Sequence, residues 1–278
     1  MFAFAFRYFQ DPESGRLGQH IDTSLAQTMH KSYRGKLSPR PLRGKLPMAR
    51  ISKADRQSHV GEQEEARAVA KDVSSAADYL PKTRTVASLR EAEQVCRGCE
   101  LYRRAKQAVA GEGPESARMV LVGETPGDEE DRTGHPFVGP AGALLDQALE
   151  GGGIERTKVF ITNAVKHFKW EPRGKRRLHA KPSSREIAAC RPWLDAELEL
   201  IRPRVIVCLG ATAAQALLGR NFRVTKQRGE VLSGPYGSVV ATYHPAAVLR
   251  APDGEAREQM RQALFDDLRT AARLLAEE

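Results

Sequence analysis

The sequence predicts an α/β fold, a central parallel sheet flanked by helices, preceded by a disordered basic arm. Two observations carry the first part. Four short runs, 119–124, 159–164, 205–210 and 238–243, are rich in β-branched residues and apolar on both faces, as buried parallel strands are. Helical patterns alternate with them, the order of successive βα units. A third observation carries the arm. Between Lys31 and Arg56 nine basic residues stand against one acidic residue, Asp55, and Pro39, Pro41 and Pro47 interrupt any period. Such a segment cannot bury enough apolar area to offset its chain entropy. Residues 1–75 are therefore read as an extension, a nucleic-acid arm or a solvated tail, and residues 76–278 as the folded domain.

The elements follow in order. The first strand, 119–124, is closed by Gly123 and Glu124. Residues 142–149 read as a helix stopped by the glycines at 151–153. The second strand ends at Asn163 and Ala164. Residues 184–200 start on a Ser cap, carry Glu186 in the first turn and precede Pro203; Pro192 within them is expected to kink the helix or split it. Residues 211–218 form a helix directly after the third strand, and the fourth strand runs into Tyr243 and His244. Residues 257–278 close the chain with apolar residues at helical spacing. In such sheets ligands bind at the carboxyl ends of the strands. Glu124, Asn163 and His244 all fall there, which points to one site.

Composition narrows the function classes. The 278 residues carry 44 basic and 35 acidic side chains, a net charge of +9, which favours a polyanionic partner. No apolar run reaches the ~18 residues of a membrane span, and the opening Met-Phe-Ala-Phe-Ala-Phe is too short for a signal-peptide core. Four cysteines in this length do not make a disulfide scaffold, so a reducing cytoplasm is expected. Cys96 and Cys99 form a Cys-x-x-Cys pair, 90 residues separate Cys99 from Cys190, and 17 separate Cys190 from Cys208. Together they can complete tetrahedral coordination, of zinc or of an iron–sulfur cluster; the alternative is a set of redox or core thiols.

The strand-end loops hold the remaining chemistry. Gly123-Glu124-Thr125-Pro-Gly-Asp128 sets a carboxylate at a strand tip before a Pro-Gly turn. Phe137 lies in a Pro- and Gly-rich loop and offers a flat apolar face. Residues 166–181 carry seven Lys or Arg against one Glu, with Phe168 and Trp170 interleaved and His167 and His179 near the two ends. Basic groups neutralise phosphates and aromatics stack unpaired bases. Pro245 biases His244 toward an extended backbone aimed into the cleft, and Arg250 follows shortly after.

Taken in order, Gly-Glu-x-Pro-Gly-Asp, Pro-Phe-Val-Gly-Pro-Ala-Gly, Thr-Asn-Ala-Val-Lys, Val-Ile-Val-Cys-Leu-Gly and His-Pro-Ala resemble the iron–sulfur (family 4) uracil-DNA glycosylases. The loop Lys175-Arg-Arg-Leu-His179 is similar to the Lys-Arg-Arg-Ile-His signature of their UdgX subgroup. The resemblance spans about residues 76–275 and leaves the first 75 uncovered. It implies a uracil-DNA glycosylase-like fold and a structural [4Fe-4S] cluster on Cys96, Cys99, Cys190 and Cys208. It implies a uracil site of Gly123, Thr125, Asp128, Phe137, Asn163 and His244. Phe137 would stack on the flipped base, Asn163 would read its polar edge, and His244 would stabilise charge on its oxygen. Lys166, Lys175, Arg176, Arg177 and Arg250 would contact DNA. It implies catalysis by Glu124, His179 and His244, with His179 bonding C1′ of the abasic sugar so that the protein stays attached to DNA. Thr125 stands where the subgroup usually has Gln, which predicts slower or partial trapping; Leu178 for Ile conserves volume.

The expected partner is uracil-containing DNA, single strands preferred, bound by a cytoplasmic, nucleoid-associated monomer. One alternative is a turnover glycosylase in which His179 only touches DNA. Another is a non-catalytic, metal-stabilised nucleic-acid-binding protein. The last is a thiol redox protein using Cys96 and Cys99.

Overall fold

A computed structural model describes residues 75–276, together with two short strands near the start of the chain. Those strands, β1 (Tyr8–Gln10) and β2 (Leu17–Gln19), pair antiparallel. The rest of the expected disordered arm, residues 1–75, lies outside the described residues.

The main unit is built on a five-stranded sheet. Its strands are β3 (Met119–Gly123), β4 (Val159–Asn163), β7 (Val205–Leu209), β8 (Val231–Gly234) and β9 (Gly237–Thr242), in the order β4-β3-β7-β9-β8. The four predicted strands are the four parallel ones. The fifth, β8, pairs antiparallel with β9 at the edge and was missed, because its residues alternate between exposed and half-buried and form no continuous apolar run. A further hairpin, β5 (Trp170–Arg173) with β6 (Arg176–His179), stands outside this sheet; the sequence read it as a loop.

Alternation sorts the strand side chains to two faces. Met119, Leu121, Ile161, Val207 and Val240 meet Leu145, Leu149, Leu264 and Leu268, which come from α3 (Pro140–Gly151) and α8 (Gly254–Ala276). Val120, Val122, Ile206, Cys208 and Ala241 meet Leu194, Leu198 and Ala213, from α4 (Ser184–Ile201) and α5 (Ala211–Leu218). The result is a helix–sheet–helix sandwich with both sheet faces buried, the arrangement that permits double-sided apolar strands. A third apolar cluster joins α1 (Val86–Gln94) and the Cys-x-x-Cys segment to α4 through Leu89, Cys96, Leu101, Cys190 and Trp193.

Helix α4 decides between the two expectations only in that Pro192 does not split it. It runs unbroken through Pro192, although the ring removes one backbone hydrogen bond. Its start is fixed by a reciprocal capping box between Ser183 and Glu186, and the buried side chains of Trp193, Leu194 and Leu198 hold the segment beyond the proline. Among the described residues no helix is long and apolar enough to cross a membrane.

Candidate active site at the strand ends

Parallel pairing of β3 with β4 and of β3 with β7 brings the ends of these strands to one edge of the sheet. Gly123 pairs in register with Asn163. A Cβ on Gly123 would overlap Asn163 Oδ1 and stand 2.7 Å from Phe137 Cζ, so only glycine lets both side chains converge. Phe137 has a left-handed backbone (φ 55°), and its carbonyl packs so closely on Gly142 that a side chain there would collide with it. The Phe137 ring stacks on His244, with centroids 5.8 Å apart and planes 28° apart. Phe137, Asn163 and His244 line a cavity of about 580 Å³ that also receives Glu124, Thr125, Asp128, His179 and Arg250; Gly123, expected at the uracil site, lies behind Asn163 and Phe137 and does not line it.

The two cavity histidines sit in different surroundings, and burial favours the neutral ring in both. His244 caps α7 (Pro245–Leu249), and its Nδ1 accepts the Ala246 N–H at 3.1 Å. An accepting Nδ1 leaves the proton on Nε2. Burial, assisted by His179 and Arg250, lowers the His244 pKa to about 4, so the ring is neutral near pH 7. His179 ends β6 with its ring 6.2 Å from Phe168 and its Nε2 3.9 Å from Glu124 Oε1. Burial lowers its pKa, Glu124 opposes that and Arg250 adds to it, which also favours the neutral ring. The other oxygen of Glu124 accepts the hydroxyl proton of Thr212. Sequence reasoning missed Thr212. The available signal was a hydroxyl in the first turn of a helix that leaves the sheet at the same edge.

The hairpin that carries His179 is pinned by Arg177. Its guanidinium pairs with Asp128 and with the fully buried Asp131 of α2 (Asp128–Thr133), both at 2.5 Å, and lies over Phe168 at 5.3 Å and Trp170 at 5.6 Å. Trp170 donates its ring N–H to the Arg104 carbonyl at 3.0 Å, with the Arg104 guanidinium over its face. Two sequence expectations are corrected here. Arg177 is committed to carboxylates rather than DNA phosphates, and Phe168 and Trp170 brace the hairpin rather than present faces for bases. Asp128 likewise spends its carboxylate on Arg132 and Arg177 at the cavity rim. Lys175, Arg176 and Arg250 stay at the exposed surface, where phosphates can reach them.

Lys166 is the clearest correction. It is 1% exposed, not on the surface. Its ammonium donates to Glu197 at 2.6 Å and to Thr162 at 2.5 Å. Glu197 also accepts from the Gly111 N–H at 3.1 Å. The neighbouring Glu93 has a pKa raised well above the usual carboxylate value, chiefly by burial, with Lys166 opposing and Glu197 adding. Thr125 turns its hydroxyl away from the cavity, donating to the His167 carbonyl at 2.8 Å.

The cysteines divide three to one. Cys96, Cys99 and Cys190 share the apolar cluster between the Cys-x-x-Cys segment and α4. Cys96 Sγ accepts the Trp193 ring N–H at 3.3 Å, and Cys190 Sγ accepts the Lys166 backbone N–H at 3.2 Å. Donors of this kind suit sulfurs that carry negative charge in a cluster. Cys208 sits on β7 in the separate core facing α4 and α5, its thiol pushed up to about 12 by burial alone. The expected four-cysteine set is therefore not formed: strand alternation turns Cys208 into the sheet core. Cys96, Cys99 and Cys190 remain the neighbouring thiols, and Cys208 fits the reading of a small core residue. Among the described residues no three His, Cys, Asp or Glu side chains stand close enough to hold a single metal ion. Burial also raises the Cys99 thiol pKa, the opposite of what a reactive redox thiol needs.

Comparison with known proteins follows this geometry. Residues 110–269, more than half of the chain, match the Uracil DNA glycosylase superfamily. A type-4 uracil-DNA glycosylase of Thermotoga maritima is 40% identical over 185 residues, covering 66% of this chain and 91% of that protein. The type-4 uracil-DNA glycosylase of Pyrobaculum aerophilum is 39% identical over 185 residues, covering 64% and 91%. A type-5 uracil-DNA glycosylase of Thermus thermophilus is 31% identical over 184 residues, covering 59% and 80%.

Proposed function

The chain belongs to the uracil-DNA glycosylase superfamily, and from that premise we propose that it excises uracil from DNA and then joins itself to the abasic sugar through His179. One observation carries the second half. His179 Nε2 stands 3.9 Å from Glu124 Oε1 at the cavity that holds Phe137, Asn163 and His244.

Uracil flipped from the stack enters the cavity and lies against Phe137. The Asn163 amide matches the donor and acceptor of the uracil edge and mismatches those of cytosine. As the C1′–N1 bond breaks, its electron pair leaves with the base, and His244 Nε2–H donates to the uracil oxygen that gains charge. A neutral donor loses no proton in doing so, which suits a ring with a pKa of about 4. The sugar becomes oxocarbenium-like. The lone pair of His179 Nε2 then forms a bond to C1′, and the ring releases its Nδ1 proton to solvent. Glu124 stabilises the transient positive charge on both sugar and imidazole. A nitrogen held this close competes with water through effective molarity. Lys175, Arg176 and Arg250 hold the backbone phosphates, and a single strand presents its base with no pairing to break. Cys96, Cys99 and Cys190 would hold an iron–sulfur cluster, which when bound ties the Cys-x-x-Cys segment to α4 and takes no part in bond breaking.

A second reading, turnover with water adding to C1′, draws on Thr125. Its hydroxyl is engaged by the His167 carbonyl and lends His179 no support.

The test is a denaturing gel of cluster-replete protein with labelled single-stranded DNA containing one uracil, against a thymine control and His179→Ala. A heat- and detergent-resistant slow band that needs uracil and His179 is the expected result. Alkali-labile abasic DNA without that band would sink the covalent reading and leave the turnover enzyme. No abasic DNA in either form would sink excision itself.

A further inference from the structure

We propose that Thr212 is a positioning residue for this reaction, holding Glu124 in the rotamer that faces His179. The inference rests on the roles given above to Glu124 and His179.

The placement follows from topology. Strands β3 and β7 are adjacent and parallel, with Val122 opposite Cys208, so the chain just beyond β3 lies beside the turn that leaves β7. That turn is Gly210, with φ 92°, and α5 begins at Ala211. Thr212, 3% exposed, thus sits in the first turn of α5, against the tip of β3. A hydroxyl there commonly bonds the local backbone. Here it donates to Oε2 of Glu124, while Oε1 points toward His179.

The three groups stand in a row of hydroxyl, carboxylate and imidazole, hydrogen-bonded from Thr212 to Glu124 and 3.9 Å apart from Glu124 to His179, contributed by α5, the β3 tip and the β5–β6 hairpin. Only the hydroxyl belongs to the rigid core. Glu124 has three side-chain torsions and a competing cation, Arg250, in the same cavity. Without the Thr212 proton nothing in this array selects the rotamer that meets His179. A bond to a charged acceptor is among the stronger neutral-donor bonds, and it adds direction as well as energy.

The experiment uses the full, cluster-replete chain and a uracil-containing single-stranded oligonucleotide under single-turnover conditions. Excision and adduct formation are timed separately. Thr212→Val keeps the shape and removes the proton; Thr212→Ser keeps the proton and removes a methyl. Thr212→Val is expected to slow adduct formation by about tenfold to a hundredfold, the range set by one bond to a charged group. Thr212→Ser should restore most of it, with both variants melting near the parent. Equal rates for Thr212→Val and the parent would overturn the proposal. So would equal damage in both variants, because that marks the methyl packing and not the hydroxyl. If the parent itself excises uracil without any adduct, the covalent reading fails separately. Thr212 is then judged on the excision rate, where Thr212→Val must still fall and Thr212→Ser recover.

Discussion

Replacing Lys166 with methionine should destabilise the protein severely while leaving its attraction for DNA unchanged. The side chain is 1% exposed, and its partner carboxylate on Glu197 is 4% exposed at 2.6 Å. Methionine fills similar volume but leaves the Glu197 carboxylate in the core with only Thr162 and the Gly111 N–H for company. Glu93 beside it already has its pKa raised by burial, and it loses the stronger of the two cations, Lys166 and Arg90, that oppose the rise. Removing one partner of a buried pair costs about 3–5 kcal/mol, mostly the uncompensated charge that remains. For a folded unit of this size, about 2–4 °C per kcal/mol makes that a fall of roughly 6–20 °C in Tm. Urea unfolding followed by far-UV dichroism measures the loss directly. Lys166→Met with Glu197→Gln should recover part of it, since the orphan charge is gone. The opposite pattern would refute the reasoning: a loss under 1 kcal/mol with weaker DNA binding and a shallower salt dependence, the behaviour of a phosphate contact.

Three further outcomes follow from the same geometry. Cys208→Ala should retain the visible colour of a bound cluster after anaerobic purification and Cys96→Ser should lose it; loss in both would restore Cys208 as a ligand. Gly123→Ala should reduce single-turnover excision at least tenfold with a stability loss of about 1–3 kcal/mol, because the added methyl overlaps Asn163 and crowds Phe137; parent-like excision in quench assays would contradict this. His167 and His244 both have pKa values lowered by burial to about 4, so the unfolded chain binds their protons more readily. Stability should therefore fall as pH drops from about 6.5 toward 4, by up to about 3 kcal/mol for each ring, and urea midpoints across that window check it.

The fold was legible wherever burial is two-sided. The four parallel strands are continuous apolar runs because helices cover both faces, and their ends located Glu124, Asn163 and His244 at one cavity. What stayed hidden depended on pairings between distant residues. Lys166 and Arg177 look like DNA contacts in a basic run, and nothing local reveals that Glu197, Asp128 and Asp131 await them. Phe168 and Trp170 are interleaved with cations, as base-stacking residues are, yet one cation of the same run, Arg177, lies over both rings. Cys208 shows the converse. Its spacing suits a ligand, but period-two alternation on β7 already assigns it to the sheet interior beside Ile206. Strand β8 has no two-sided burial and so gave no signal.

The β5–β6 hairpin is an appendage to the sheet, joined chiefly through one guanidinium and two aromatic rings. The cavity wall formed by Phe137, Asn163 and His244 comes from other segments and is complete without it. On the covalent reading proposed above, the step that separates releasing a strand from remaining on it rests on His179, which this hairpin carries.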